Sequence, residues 1–164
     1  MSSPVPLAAS LTDAGPIAQL RAGRLPRRLV HLYLGLWLYG VSLALMVLGD
    51  IGLAPWDVLH SGFIQHVPIT LGQAVVLFSF VVLVLWIPLR EKPGLGTISN
   101  AFVVGLSADA TLAVLDAPAG LAPRIVLMVG GIVLCGLATA LYIGAQLGRG
   151  PRDGLMTGLA RRTG

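Results

Sequence analysis

Apolar residues run along the chain in four blocks, each about 20 residues long, the length at which one α-helix spans the hydrocarbon core of a bilayer. The blocks cover residues 29–49, 71–89, 97–115 and 125–145, and Gly/Pro turns or charged residues separate them. This pattern predicts an all-α, polytopic helical membrane protein with about four transmembrane helices.

The composition agrees with a membrane location. Hydrophobic residues make up 55% of the chain and charged residues 11%, whereas soluble domains carry about 25% charged residues. The net charge of +4 comes from basic residues that flank the apolar blocks, so it indicates topology rather than a surface for phosphates. We therefore expect the lipid bilayer as a partner and no nucleic acid.

The basic residues also predict an orientation. If the four spans alternate in direction, every Lys and Arg except Arg124 falls on one side of the membrane, which by the positive-inside rule is the cytoplasm. We expect a multi-pass protein of the bacterial plasma membrane with a cytoplasmic N-terminus. Residues 1–28, rich in small residues, Pro and Arg, are predicted to form a disordered basic tail.

One short motif occurs twice. GLAPWD begins at Gly52 and GRGPRD at Gly148, so Pro151 and Asp153 follow Pro55 and Asp57 at the same distance of 96 positions. The copies start with spans of opposite direction, which predicts inverted-topology repeats.

The repeats divide the chain into a first membrane repeat of three spans at 29–115, an outer loop at 116–123 and a second repeat at 124–164. The second repeat stops where its next span would begin. We expect either a truncated chain that lacks two spans, or a naturally short protein that restores the missing half as a homodimer.

Each motif copy suggests a re-entrant or interfacial half-helix. Pro55 suits the first helical position, which needs no N–H donor, and Asp57 then falls near the third, beside free N–H groups. Two such N-termini are able to face one anionic group near the middle of the bilayer, with Arg152 as an added donor. In the alternative interpretation, each Asp only caps its own helix. The candidate ligand, ion or capping residues are Pro55, Asp57, His60, Asp109, Gly150, Pro151, Arg152 and Asp153.

Asp109 is the one carboxylate inside an apolar block. A charge in a span usually faces a cavity or a partner, so Asp109 is a candidate for binding a proton or a cation. It also lies near the outer end of its block, where it is able to reach the interface. Both interpretations stay open.

Small residues recur along two spans. Gly136, Ala140, Gly144 and Gly148 form a glycine stripe in span four, and Gly40 and Ala44 occupy matching positions in span one. Small residues at this spacing allow membrane helices to approach closely. We expect these residues to pack the two repeats against each other.

Motifs of other chemistries are missing from the sequence. Its scattered histidines and single cysteine have no metal-ligand spacing, and no catalytic triad, phosphate loop or dinucleotide fingerprint occurs. We expect no metal, no cofactor and no enzyme activity.

The paired motifs GLAPWDVLHSG and GRGPRDGLMTGLARRTG, together with PGLGT at 93–97, resemble the YczE/YyaS/YitT family of bacterial multi-spanning membrane proteins. The resemblance covers residues 29–164 and implies the fold and the membrane location. It implies no activity, and it implies two further spans.

Two functions are compatible with these sequence features. The first is a small secondary transporter or exporter of an unknown small molecule, with a site between the inverted repeats. The second is a non-transporting membrane scaffold or accessory factor for another membrane or secretion component. The convergence of Asp57, Asp109 and Asp153 on one cavity would favour transport, whereas carboxylates that cap helices at the surface would favour a scaffold.

Overall fold

The computed structural model describes residues 16–21 and 23–163, and in that part of the chain every regular element is a helix. The seven helices are α1 (Pro16–Arg21), α2 (Leu25–Gly49), α3 (Pro55–Ile64), α4 (Leu71–Leu89), α5 (Leu95–Leu112), α6 (Leu121–Gly144) and α7 (Pro151–Thr163).

The four apolar blocks form the four helices that are long and apolar enough to cross a membrane, namely α2, α4, α5 and α6. The prediction of a polytopic helical membrane protein is therefore confirmed. Local signals set the helix ends. Thr70 and Gln73 form a reciprocal capping box at the start of α4, and Arg90 ends that helix in a left-handed conformation with φ 57°. The link from α5 to α6 covers 113–120, slightly earlier than predicted.

Helix α2 lies at the centre of the packing. A methyl group at Gly35 would lie 2.7 Å from the Tyr142 nitrogen, and one at Gly49 would lie 3.1 Å from the Arg124 oxygen. The early part of α2 therefore faces the end of α6 and its end faces the start of α6, so the two helices are antiparallel. The other side of α2 packs on α5, and α4 packs on α5 in turn. The core between these helices contains Leu32, Leu36, Leu43, Leu71, Val75, Val104, Ala108, Tyr142, Ala145 and Leu147.

Three members of the glycine stripe, Gly136, Ala140 and Gly144, do not have the predicted packing position in the structure. Gly136 and Gly144 lie on an open face of α6 and would meet no heavy atom within 4 Å if they carried a Cβ, and Ala140 is also exposed. Gly148 is buried, but it lies in the link to α7 with φ +127°. A spacing of four residues marks one face of a helix without showing which face the partner helix takes.

Other small residues bring the helices together. Gly131 takes the contact position of α6, where a methyl group would lie 2.7 Å from the Met46 Cγ. On α2, Ala44 is buried. Gly40 is buried too, but against Ser107 of α5 rather than against α6, with 2.7 Å between a methyl group at Gly40 and the Ser107 Cβ.

The N-terminal segment also differs from the prediction. Residues 1–15 lie outside the described part, but Pro16–Arg21 is helical and α2 begins at Leu25 rather than at residue 29. Residues 16–21 and 25–28 are therefore helical in the structure, where the sequence analysis predicts a disordered tail. The Arg28 guanidinium holds this segment in place by donating hydrogen bonds to the carbonyl oxygens of Gln19, Ala145 and Gln146.

Candidate functional site

The two motif copies form two short helices. Each begins with its proline, Pro55 in α3 and Pro151 in α7. Helix α3 has 10 residues, so it is about 15 Å long and covers about half of a hydrocarbon core. Its proline occupies the first turn, where a missing N–H leaves no hydrogen bond broken. We call α3 and α7 the half-helices.

The first turns of the half-helices contact each other. The Asp57 Oδ1 lies 4.0 Å from the Arg152 Nη1, and the Arg152 guanidinium carbon lies 5.3 Å from the centre of the Trp56 ring. Residues 96 positions apart in the sequence are thus brought into one cluster, which contains Asp57, Arg152 and the adjacent Asp153.

This cluster borders a cavity of about 450 Å³ between the helices. Asp57, Arg152 and Asp153 line the cavity together with Tyr39 and Ser42 of α2 and Cys135 of α6. These α2 and α6 residues lie well inside their helices rather than at the ends. The cavity is therefore at an intermediate depth of the four-helix unit.

The N-terminal end of α7 is held by hydrogen bonds. The Tyr142 hydroxyl donates to the Asp153 Oδ2, and the Trp86 Nε1 donates to the Pro151 carbonyl oxygen at 2.9 Å. Just before the helix, the Thr97 hydroxyl donates to the Arg149 carbonyl oxygen at 2.7 Å. Gly150 leaves room for this arrangement, since a methyl group there would lie 2.8 Å from the Asp153 Oδ2.

The start of α3 has different surroundings. Asp57 is 3% exposed and His60 is 0% exposed, and their Oδ1 and Nδ1 atoms lie 3.6 Å apart. Among the described residues, neither that carboxylate oxygen nor either ring nitrogen of His60 has a hydrogen-bond partner. The other side of the imidazole faces Phe78 of α4, at 5.4 Å between ring centres.

Asp109 lies elsewhere. It accepts hydrogen bonds from the Thr70 hydroxyl at 2.6 Å and from the Gly72 N–H at 2.8 Å. It therefore caps the first turn of α4 and does not line the cavity of the half-helices. Of the three carboxylates, the structure brings together only Asp57 and Asp153.

The sequence did not point to the tyrosines of the site. Tyr39 and Tyr142 pack edge to face, with ring centres 6.1 Å apart, and Tyr142 holds Asp153. A usable signal was present, because a tyrosine inside an apolar span needs a partner for its hydroxyl group. In the part of the chain that the structure describes, no group of three His, Cys, Asp or Glu side chains is placed to hold a metal ion.

Comparison with known proteins identifies the family. A model described as a family of unknown function (DUF6198) matches residues 26–164. The chain belongs to this family. An uncharacterised protein of Haemophilus influenzae is 38% identical over 131 residues, which cover 80% of this chain and 60% of that protein.

Two relatives from Bacillus subtilis confirm the resemblance read from the motifs. The uncharacterised membrane protein YczE is 30% identical over 134 residues, covering 80% of this chain and 62% of YczE. The uncharacterised protein YyaS is 28% identical over 137 residues, covering 79% of this chain and 68% of YyaS. The chain thus spans about three fifths of the length of the first two curated relatives. No solved structure matches it significantly.

Proposed function

We propose that the protein is a small secondary transporter whose binding site lies between two inverted repeats. The observation that carries this proposal is the meeting of both half-helix N-termini at one cavity of about 450 Å³ inside the helical unit. Half-helices that point their positive ends at a shared site are typical of repeat-built transporters.

Reciprocal contacts between α2 and α6 support the inverted repeats. A methyl group at Gly35 would lie 3.0 Å from the Ala138 oxygen, and one at Gly131 would lie 3.0 Å from the Ser42 oxygen. Gly131 and Ala138 follow Gly35 and Ser42 by 96 positions, so exchanging the two repeats exchanges these contacts. A twofold relation between antiparallel helices produces this pairing.

The cavity lining suggests the class of substrate. Asp57, Arg152 and Asp153 give the lining its charged groups, and apolar side chains such as Leu43 and Met46 supply much of the remaining surface. The volume lies within the range of small-molecule sites, about 300–1,000 Å³. We expect a small amphipathic solute that places a charged group against the half-helix N-termini and an apolar body against α2.

The proposed orientation places the N-terminus in the cytoplasm and the α3 side outside. Cysteine labelling tests it in a Cys135→Ala background, with His66→Cys and Lys92→Cys because both positions are exposed. An impermeant maleimide added to intact cells should label position 66, and label position 92 only after the membrane is opened. Equal labelling of both from one side would contradict the topology.

A ligand screen tests the transport proposal. Purified protein is heated with a panel of small amphipathic cations, anions and zwitterions, and compounds that raise Tm are then assayed for uptake into proteoliposomes. Arg152→Gln should abolish both effects, because Arg152 is the one cation among the described residues that line the cavity. Asp50→Asn is the matched control, since Asp50 is exposed and pairs with Arg124 away from the cavity.

A second function, a non-transporting scaffold, has one observation in its favour. An open groove of about 600 Å³ runs between α4 and α5, with Phe80 and Phe102 in its apolar lining. A scaffold would leave the whole ligand panel without effect on Tm. It would also lose its physiological role in Phe80→Ala and not in Arg152→Gln.

A further inference from the structure

Helix α3 carries a buried polar pair with unfulfilled hydrogen bonds. Both ring nitrogens of His60 and the Oδ1 of Asp57 are buried without a partner among the described residues. Leaving such a group unpaired costs folding free energy, because its hydrogen bonds to water are lost and not replaced. A purely structural position would favour apolar side chains here, so this pair is a candidate for a function.

The geometry places two basic groups at one oxygen. Asp57 Oδ1 lies 3.6 Å from His60 Nδ1 and 4.0 Å from Arg152 Nη1. Arg152 is charged at every accessible pH, whereas an imidazole is able to gain or lose its charge near neutrality. Protonation of His60 therefore decides whether Asp57 has one cationic neighbour or two.

We propose that Asp57 and His60 bind the exchangeable proton of this protein. A proton from water adds to the lone pair of His60 Nδ1, forming an N–H bond and an imidazolium, and the donor acid leaves as its conjugate base. The new N–H then donates to Asp57 Oδ1 once the 3.6 Å separation closes by a few tenths of an ångström. The carboxylate is drawn towards its own helix and away from Arg152, which weakens the contact between the half-helices.

The groups around this pair differ in their charge and in their existing partners. The α4 face against His60 is Phe78, which has no charge. Asp153 is already held by the Tyr142 hydroxyl. Among the described residues, the titratable and charged groups that line the same cavity as Asp57 are Tyr39 of α2, Cys135 of α6, and Arg152 and Asp153 of α7.

A role for this proton as the coupling ion of transport rests on the proposed function. Binding of the proton by Asp57 and His60 does not depend on that function. The test is therefore a binding measurement without solute. Protein labelled with ¹⁵N-histidine is placed in lipid nanodiscs, and the ring nitrogen signals are followed by NMR from alkaline to acid pH. The His60 signal is identified by its loss in His60→Gln, and the exposed His66 serves as an internal reference.

We expect His60 to convert reversibly from imidazole to imidazolium while circular dichroism shows that the helices are retained. Asp57→Asn should move the conversion to more acid pH, because the anion beside the ring is lost. Arg152→Gln should move it to more alkaline pH, because a competing cation is lost. Asp50→Asn is the control and should leave it unchanged.

The proposal is overturned if His60 keeps one protonation state throughout, or if it titrates at the same pH in the wild-type protein and in Arg152→Gln. Arg152→Gln alone decides the matter if Asp57→Asn does not fold. A titrating pair in a protein that moves no solute would refute the transporter and leave the proton site. Solute uptake by a protein whose His60 does not titrate would refute the proton site and leave the transporter.

Discussion

Helices α3 and α7 begin with the same proline-to-aspartate spacing, but the two aspartates have different partners. Asp153 accepts a hydrogen bond from Tyr142, and the turn before it is fixed by Trp86 through Pro151. Asp57 has an oxygen without a hydrogen-bond partner in the described part of the chain, although it is almost fully buried. Asp153 is thus anchored by a hydrogen bond, whereas Asp57 has an acceptor oxygen that no described donor uses.

The packing of the half-helices differs in the same direction. Gly154 of α7 lies directly against the Trp86 ring, whereas Val58, its counterpart in α3, is 55% exposed. Segments with fewer buried contacts open at a lower free energy. We therefore expect α3 to open at a lower free energy than α7.

The largest expected effect comes from disrupting the packing of α7. Gly154→Leu should destabilise the protein by about 3 kcal/mol or more, because no room exists between α7 and Trp86 and overpacking of this kind costs about 1–3 kcal/mol even where neighbours adjust. Gly62→Leu in α3 is the control, since nothing lies within 4 Å of its position. Thermal unfolding in detergent measures both variants. Equal losses would mean that α3 is packed as tightly as α7.

The next effect concerns the contact between α2 and α6. Gly35→Leu and Gly131→Leu should each cost about 1–3 kcal/mol, because a methyl group at either position would lie 2.7 Å from an atom of the facing helix. Gly136→Leu and Gly144→Leu, on the open face of α6, should change stability by less than about 0.5 kcal/mol. The same unfolding assay compares the four variants. A large loss at position 136 or 144 would show that this face has a partner.

A smaller effect separates the two aspartates. Tyr142→Phe should lower stability by about 1.5–3 kcal/mol, since it removes a hydrogen bond to a charged group. Asp153→Asn should lower it by about 1 kcal/mol, because the amide oxygen still accepts from Tyr142 but carries no charge. Asp57→Asn should cost less, because the Oδ1 of Asp57 makes no hydrogen bond to lose. Chemical unfolding in mixed micelles measures the three variants. If Asp57→Asn were the most damaging, Asp57 would be the structural member of the pair.

The smallest expected effect provides a reference outside the site. Asp109 caps α4 together with Thr70, so Thr70→Ala should cost about 1 kcal/mol, as the loss of a helix N-cap does. Ligand-induced shifts in Tm should stay as in the wild-type protein. A loss of ligand response in Thr70→Ala would connect Asp109 to the site after all.

Apolar block length was sufficient to predict the four spans, but their ends depended on local contacts. Helix α5 begins at Leu95, two residues before the predicted start, because the Thr97 hydroxyl accepts a hydrogen bond from the Gly94 N–H and extends the helix backwards. Helix α2 begins before its apolar block because Arg28 finds carbonyl partners at the end of α6. Contacts between residues far apart in the chain cannot be read from local hydropathy.

The repeated motif was sufficient to identify the candidate residues, but it did not predict their rotation or partners. The shared offset of 96 positions predicts that Asp57 and Arg152 belong to one site, but it does not indicate that His60 is fully buried or that Asp153 pairs with Tyr142. The open positions of Gly136, Ala140 and Gly144 were not predicted for the same reason, since the rotation of α6 depends on the fit of Gly131 against Met46. The rotation of a helix about its axis depends on its own surface and on the surface of the helix that it packs against. One sequence segment describes only the first of these surfaces.

The hydrogen bonds of Arg28 also have a consequence for assembly. Their acceptors at Ala145 and Gln146 are synthesised 117 and 118 residues later than the arginine. The ribosome therefore delivers the donor long before the carbonyl groups that it satisfies. Arg28 cannot make these two hydrogen bonds until α6 has been synthesised, so the segment before α2 reaches its final contacts late in assembly.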